Sequence, residues 1–108
     1  MNFQKMMQQA QQMQFKLQEM QEKLGDIEVE GEAGGGMVKA RMTCKGELIG
    51  LDIDPSVFNM DDKETAEDLI VAAVNNAHTA KEERVKAETQ AMMESLGLPA
   101  GTQLPGAI

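Results

Sequence analysis

The stretch Val29-Glu-Gly-Glu-Ala-Gly-Gly-Gly-Met-Val-Lys-Ala40 contains three consecutive glycines between two segments in which apolar and polar residues alternate. Alternation with a period of two is typical of a β-strand with one apolar face, and a short glycine-rich connection is typical of a hairpin. No Gly-Lys-Ser/Thr follows the glycines, which argues against a phosphate-binding loop. We therefore predict a tight antiparallel hairpin in which the glycines turn the chain.

Three segments around this turn share the strand pattern, at residues 26–32, 37–45 and 47–54. Because the connections between them are short, we predict a three-stranded antiparallel meander with the second segment in the centre. The outer face of that segment carries Lys39, Arg41 and Lys45 among acidic residues of both neighbours. Opposite charges across strands stabilise a sheet by about 0.2 to 1 kcal/mol per pair, so we favour this structural role over a basic binding patch. Cys44 falls on the apolar face, where a buried, unreactive thiol is expected.

A first helix is predicted from Asn2 to Leu24, ended by Gly25. Its apolar residues recur at alternating intervals of three and four, which forms a heptad stripe suited to a partner helix. Eight glutamines fill much of the remaining surface. This face is either a solvated helix surface, the interpretation we favour, or a set of hydrogen-bonding groups for phosphates or bases. The stripe consists of Phe3, Met6, Ala10, Met13, Leu17, Met20 and Leu24.

A second long helix is predicted to begin near Asp61 or Asp62 and to end near Leu96. With Asp61 as the N-cap, Glu64 would complete a capping box. Residues 62–95 in one helix would span about 50 Å, whereas a nine-residue strand spans about 30 Å. Because a polar overhang needs another helix from this chain or a second copy, we infer a homodimer with projecting arms. A kink or break near residues 78–84 is the alternative.

Composition limits the possible functions. The 108 residues form one predicted domain, 1–96, followed by an irregular tail, 97–108. The longest apolar run, 69–74, is far shorter than the roughly 20 residues that span a membrane, and no signal-peptide pattern begins the chain. A single cysteine is compatible with a reducing compartment, so we expect a cytoplasmic protein. The net charge is −8, but residues 1–25 carry three lysines against two glutamates.

Residues with catalytic chemistry are scarce. His78 and Glu82 share a helix face and could ligate a metal, but one histidine with no cysteine nearby favours a solvated side chain. Asp52 and Asp54 point the same way without a second polar cluster, which does not make an acid/base pair. We predict a protein that is not an enzyme and has no metal, no cofactor and no evident small-molecule substrate.

Four segments together resemble the YbaB/EbfC family of nucleoid-associated proteins. They are the opening Met6-Met-Gln-Gln-Ala-Gln-Gln-Met13, the glycine block 29–39, Leu51-Asp-Ile-Asp-Pro-Ser56, and Glu67-Asp-Leu-Ile-Val-Ala-Ala-Val-Asn-Asn76. The resemblance implies an α+β fold of order α-β-β-β-α, with a three-stranded antiparallel sheet and long flanking helices in a tweezers-like homodimer. It also implies binding of duplex DNA with weak or variable sequence preference, and association with the nucleoid.

An acidic dimer can bind DNA if its basic side chains project far enough from its carboxylates. The Debye length is about 8 Å at 0.15 M salt, so lysines and arginines on the helical arms would be partly shielded from the sheet. Each candidate could instead pair with a glutamate one helical turn away. The rival hypothesis is an acidic dimeric protein-interaction module, a chaperone or adaptor, with no direct DNA binding. The candidate DNA-binding residues are Lys5, Lys16, Lys23, Lys81, Arg84 and Lys86.

Overall fold

The computed structural model describes residues 2–59 and 61–97 and confirms the predicted α-β-β-β-α order. One element was not predicted, a single helical turn that Asp54 caps by accepting a hydrogen bond from the Ser56 amide at 2.9 Å. Apart from Gly97, the predicted irregular tail lies outside the described residues. The elements are α1 (Phe3–Asp26), β1 (Glu28–Ala33), β2 (Val38–Thr43), β3 (Leu48–Ile53), α2 (Pro55–Phe58) and α3 (Lys63–Ser95).

The sheet is an antiparallel meander in the order β1-β2-β3, with β2 in the centre as predicted. The glycines at 34–36 have φ angles of 64°, 67° and 94°, which glycine adopts without steric penalty. They therefore turn the chain between β1 and β2. The strand register places Lys39 opposite Glu32 on β1 and Asp52 on β3, so the predicted alignment of opposite charges is confirmed at this position.

Helix α3 crosses β1 and β2 at very close range. A β-carbon on Gly31 would overlap the backbone of Asn76 and Ala77, so only glycine fits where β1 meets the helix. Ala73 and Ala77 are fully buried at this crossing. Small side chains on both elements thus fix the position of α3 on the sheet. The core here contains Val38, Ala40, Met42, Val57, Ala73 and Ala77.

The distal half of α3 leaves the sheet and packs on the C-terminal half of α1, around Met20, Leu24, Cys44, Met92 and Met93. The predicted polar overhang is therefore covered by a helix of the same chain. Helix α3 is continuous over its 33 residues, so the alternative of a break near residues 78–84 is wrong. Burial of Cys44 is confirmed.

The C-terminus of α1 differs slightly from the prediction, whereas the N-cap of α3 is one of the two residues predicted for it. Helix α1 continues through Gly25 to Asp26, because the Cys44 amide donates to the carbonyls of Leu24 and Ile27 and holds the helix end against the β2–β3 turn. The N-cap of α3 is Asp62 and not Asp61. Its carboxylate accepts hydrogen bonds from the Thr65 hydroxyl at 2.9 Å and the Glu64 amide at 3.0 Å.

Candidate nucleic-acid interface

Three of the predicted lysines lie on one face of α1. Lys5, Lys16 and Lys23 follow one another at intervals close to three turns and two turns of an α-helix. All three are exposed, and they span about 27 Å along the helix axis. The structure places the ammonium of Lys16 3.8 Å from the Glu19 carboxylate, a loose pair between two exposed side chains.

Lys23 meets Arg84 of α3 at the carboxylate of Glu88. The Lys23 ammonium donates to Glu88 Oε2 at 2.9 Å, and Arg84 Nε donates to Glu88 Oε1 at 3.1 Å. These hydrogen bonds, first from Lys23 and then from Arg84, lower the pKa of Glu88 below its ordinary value. Lys23 and Arg84, two predicted DNA-binding residues from distant parts of the sequence, therefore lie together, and the carboxylate of Glu88 pairs with both.

Two further cations lie at the β2–β3 turn, Lys45 of the turn itself and Lys81 of α3. The Lys81 ammonium lies 3.9 Å from the position that a β-carbon on Gly46 would occupy. The Lys45 side chain lies over the C-terminal end of α1, with its ammonium 3.5 Å from the corresponding position on Gly25. A helix C-terminus carries partial negative charge, which favours a cation there. These six residues form what we call the basic strip: Lys5, Lys16, Lys23, Lys45, Lys81 and Arg84.

Lys45 was missed as a candidate because the strand pattern appeared to continue through it. Strand β2 ends at Thr43, so the prediction that Lys45 lies on the outer face of the sheet is wrong. The signal in the sequence was the following Gly46, which has a φ of 91° and marks a turn. A turn moves the lysine off the sheet and next to the helices.

Lys86 lies apart from the strip. It follows Arg84 by two residues, which is about 200° around an α-helix. Arg84 faces the side of α3 where Lys23 and Glu88 lie, so Lys86 is directed to the other side, where it is exposed. Of the six predicted DNA-binding residues, the structure brings five into the strip and leaves Lys86 outside it.

Lys16 and Lys23 of the basic strip line shallow grooves between α1 and α3. One, of about 430 Å³, contains Lys16, Lys23 and the Glu88 carboxylate; another, of about 680 Å³, extends toward the N-terminal half of α1. An array of ammonium and guanidinium groups on an open surface is suited to a row of phosphates.

The Cys44 thiol lies behind this surface. Burial raises the pKa of Cys44, and the nearby charges of Arg84 and Lys81 oppose that increase. The neutral thiol is therefore favoured, and Cys44 contributes to the core that supports the strip.

Within residues 2–59 and 61–97, the structure contains no group of three histidine, cysteine or acidic side chains suited to a metal ion. His78 is exposed, with Nε2 3.0 Å from the Glu82 carboxylate. In the same part of the chain, every helix is too short or too polar to cross a membrane.

Comparison with known proteins identifies the family of this chain. The model of the YbaB/EbfC DNA-binding family matches residues 1–96. A nucleoid-associated protein of Rhodopseudomonas palustris is 48% identical over 99 residues, covering 92% of this chain and 93% of that protein. One from Bradyrhizobium diazoefficiens is 47% identical over 96 residues, covering 89% and 91%. The crystal structure of an uncharacterized protein from Helicobacter pylori has a TM-score of 0.73 at 30% identity, covering 86% of this chain and 98% of that one. The chain therefore belongs to the YbaB/EbfC DNA-binding family.

Proposed function

We propose that this protein binds duplex DNA as a homodimer with weak sequence preference, and that it acts in the nucleoid on DNA organisation or gene expression. The observation that carries the proposal is the basic strip. It collects six of the ten lysines and arginines of a chain whose net charge is −8. Such a cluster of cations is suited to an anionic partner. The names of the relatives, nucleoid-associated proteins, support DNA as that partner.

Screening of charges by salt allows the basic strip to attract phosphates although the protein as a whole is acidic. Lys5 and Lys16 lie on α1, away from the sheet on which most of the carboxylates of residues 26–54 stand. Because charges separated by more than about 8 Å are largely screened at physiological salt, these lysines attract phosphates with little opposition from the sheet. Contacts to phosphate carry no sequence information, which accounts for a weak sequence preference.

A homodimer is supported by the uncovered strand β3. Helix α3 packs on β1 and β2, and the apolar side chains Leu48, Ile49 and Leu51 of β3 remain 44%, 43% and 42% exposed. An exposed apolar edge strand readily pairs with another chain. A second copy on β3 would bury these side chains and bring two basic strips into one particle, as the tweezers-like arrangement requires.

The decisive test is binding to a generic duplex, measured by fluorescence anisotropy over a series of salt concentrations. We expect a dissociation constant of about 10⁻⁶ to 10⁻⁴ M near physiological salt, with affinity falling as salt rises. No binding at high micromolar dimer would refute the proposal.

Two substitutions on one helix make a matched pair for this test. Arg84→Gln and Lys86→Gln remove the same charge two residues apart, on opposite sides of α3. Losing one phosphate contact per subunit, and so two per dimer, should reduce the salt slope by about 1.8 for Arg84→Gln. Lys86→Gln should leave the slope nearly unchanged. Equal losses would show that Lys86 contacts DNA as well and that the strip is wider than proposed.

A protein-interaction module remains the second candidate because the N-terminal end of α1 exposes Phe3, Met6 and Met7, which are 73%, 51% and 51% accessible. Flexible methionine side chains adapt to a partner helix. Capture from lysate with and without nuclease separates the two candidates. A partner protein retained after nuclease treatment, together with no binding to purified duplex, would favour the module.

A further inference from the structure

A line of polar residues and one aromatic residue lies on the face of α1 opposite the predicted heptad stripe. Gln4, Gln8, Gln11 and Phe15 follow at intervals of four, three and four, which places them on one face of the helix. All four are exposed, and Phe15 is 62% accessible. Within residues 2–59 and 61–97, none of the three glutamine side chains makes a hydrogen bond.

This face belongs to the part of α1 that extends beyond its partner helix. Helix α3 ends at Ser95, and Ser95 and Leu96 border the groove that contains Gln8, Gln11 and Phe15. The preceding residues of α1 are exposed on all sides. An isolated helix of about 10 to 12 Å diameter matches the width of the DNA major groove, about 12 Å.

The same segment is also free of negative charge. Residues 2–18 contain Lys5 and Lys16 and no acidic side chain; the first carboxylate along the chain is that of Glu19. A helix that enters a groove passes between two rows of phosphates, so a carboxylate there would be repelled. In a chain with eighteen acidic residues, this is the segment best suited to close approach to DNA.

We propose that the N-terminal half of α1 enters the major groove and reads A·T base pairs through Gln8, Gln11 and Phe15. A glutamine amide can bond N6 and N7 of adenine in a bidentate manner, and a phenylalanine ring can contact the methyl group of thymine. Lys5 and Lys16, on the adjacent face of the helix, hold the flanking phosphates. The inference rests on the proposed DNA binding and adds a local preference for A·T pairs.

Atomic substitutions in the DNA test this contact directly. The full-length protein is titrated with an A·T-rich duplex, with the same duplex containing 7-deazaadenine, which lacks the N7 acceptor, and with one containing uracil, which lacks the thymine methyl group. We expect affinity to fall about fivefold for the 7-deazaadenine duplex, the loss typical of one hydrogen bond, because the bond to N7 is lost and the bond to N6 remains. A smaller loss is expected for uracil, and Phe15→Ala should abolish that loss.

Substitutions in the protein identify which side chains discriminate between the duplexes. Gln8→Ala with Gln11→Ala should bind the normal and 7-deazaadenine duplexes equally, whereas Gln90→Ala, an exposed glutamine on α3, should still discriminate. Lys5→Gln with Lys16→Gln should weaken binding to all duplexes and preserve the discrimination. Alanine is the better helix former, so the glutamine variants should fold, and circular dichroism checks this.

The outcomes separate the two proposals. Equal affinity of the unsubstituted protein for all three duplexes would overturn major-groove reading while leaving phosphate binding intact. Failure to bind any duplex would refute the proposed function itself.

Discussion

Glu88 sets the charge balance of the basic strip, and its removal gives the sharpest prediction about DNA affinity. The carboxylate holds Lys23 at 2.9 Å and Arg84 at 3.1 Å, so it competes with phosphate for both cations. Glu88→Gln keeps the size of the side chain and removes the charge. We expect the variant to bind duplex DNA more tightly than the unsubstituted protein.

The size of the effect follows from the number of cations released. Each phosphate neutralised contributes about 0.9 to the slope of log affinity against log salt. Glu88 carries a single negative charge, so its removal lets about one more phosphate be neutralised in each subunit and two in the dimer, which steepens the slope by about 1.8. Over a fourfold rise in salt, from 50 to 200 mM, the affinity advantage of the variant should therefore shrink by about tenfold. Loss of a carboxylate that holds neither Lys23 nor Arg84 would change the net charge equally, but it would not steepen the salt slope by this amount.

The assay is fluorescence anisotropy at four or more salt concentrations, with Glu83→Gln as the control. Glu83 is an exposed residue of the same helix, and its substitution changes the net charge by the same amount. If the two variants gain affinity equally, or if the slope for Glu88→Gln is unchanged, Lys23 and Arg84 do not contact phosphates and the strip is wrongly placed.

Three further predictions concern the scaffold. Gly31→Ala should lower the free energy of unfolding by about 3 kcal/mol in urea titration, because the new methyl group overlaps the α3 backbone; an unchanged midpoint would contradict the close crossing. Leu51→Lys should convert a dimer into a monomer in light scattering, and a persistent dimer would place the interface elsewhere. Hydrogen bonds from Thr65 and Glu64 lower the pKa of Asp62, so its contribution to stability exists above the unfolded pKa, near 3.9, and disappears as pH falls through the lower folded value. Asp62→Ala should accordingly be less stable than the unsubstituted protein at pH 6, and the difference should shrink as the pH falls below about 3.9; a pH-independent difference would contradict this role.

Periodicity was sufficient to predict the elements and the sheet order, because apolar spacing and glycine turns act locally. The Gly34–Gly36 turn and the alignment of Lys39 with Asp52 both followed from the pattern. The single-turn helix α2 was missed because one turn has no period to detect. The uncovered face of β3 was also missed, since alternation shows which side chains share a face and not which helix covers them.

The candidate site was also predictable only in part, because sequence patterns report local properties. The spacing of Lys5, Lys16 and Lys23 on one helix is a local property. The meeting of Lys23 with Arg84 depends on the path of α3 over the sheet and back onto α1, which no local pattern contains.

The central claim is that DNA contacts the basic strip, and NMR titration of the labelled protein with a short duplex tests it most directly. Backbone amide shifts should change along α1 from Gln4 to Lys23, in the turn around Lys45, and on α3 from Lys81 to Glu88. Amides of β1 should remain unperturbed, because its outer face carries Glu28, Glu30 and Glu32. Shift changes centred on β1, or no changes along α1 at saturating duplex, would contradict the account.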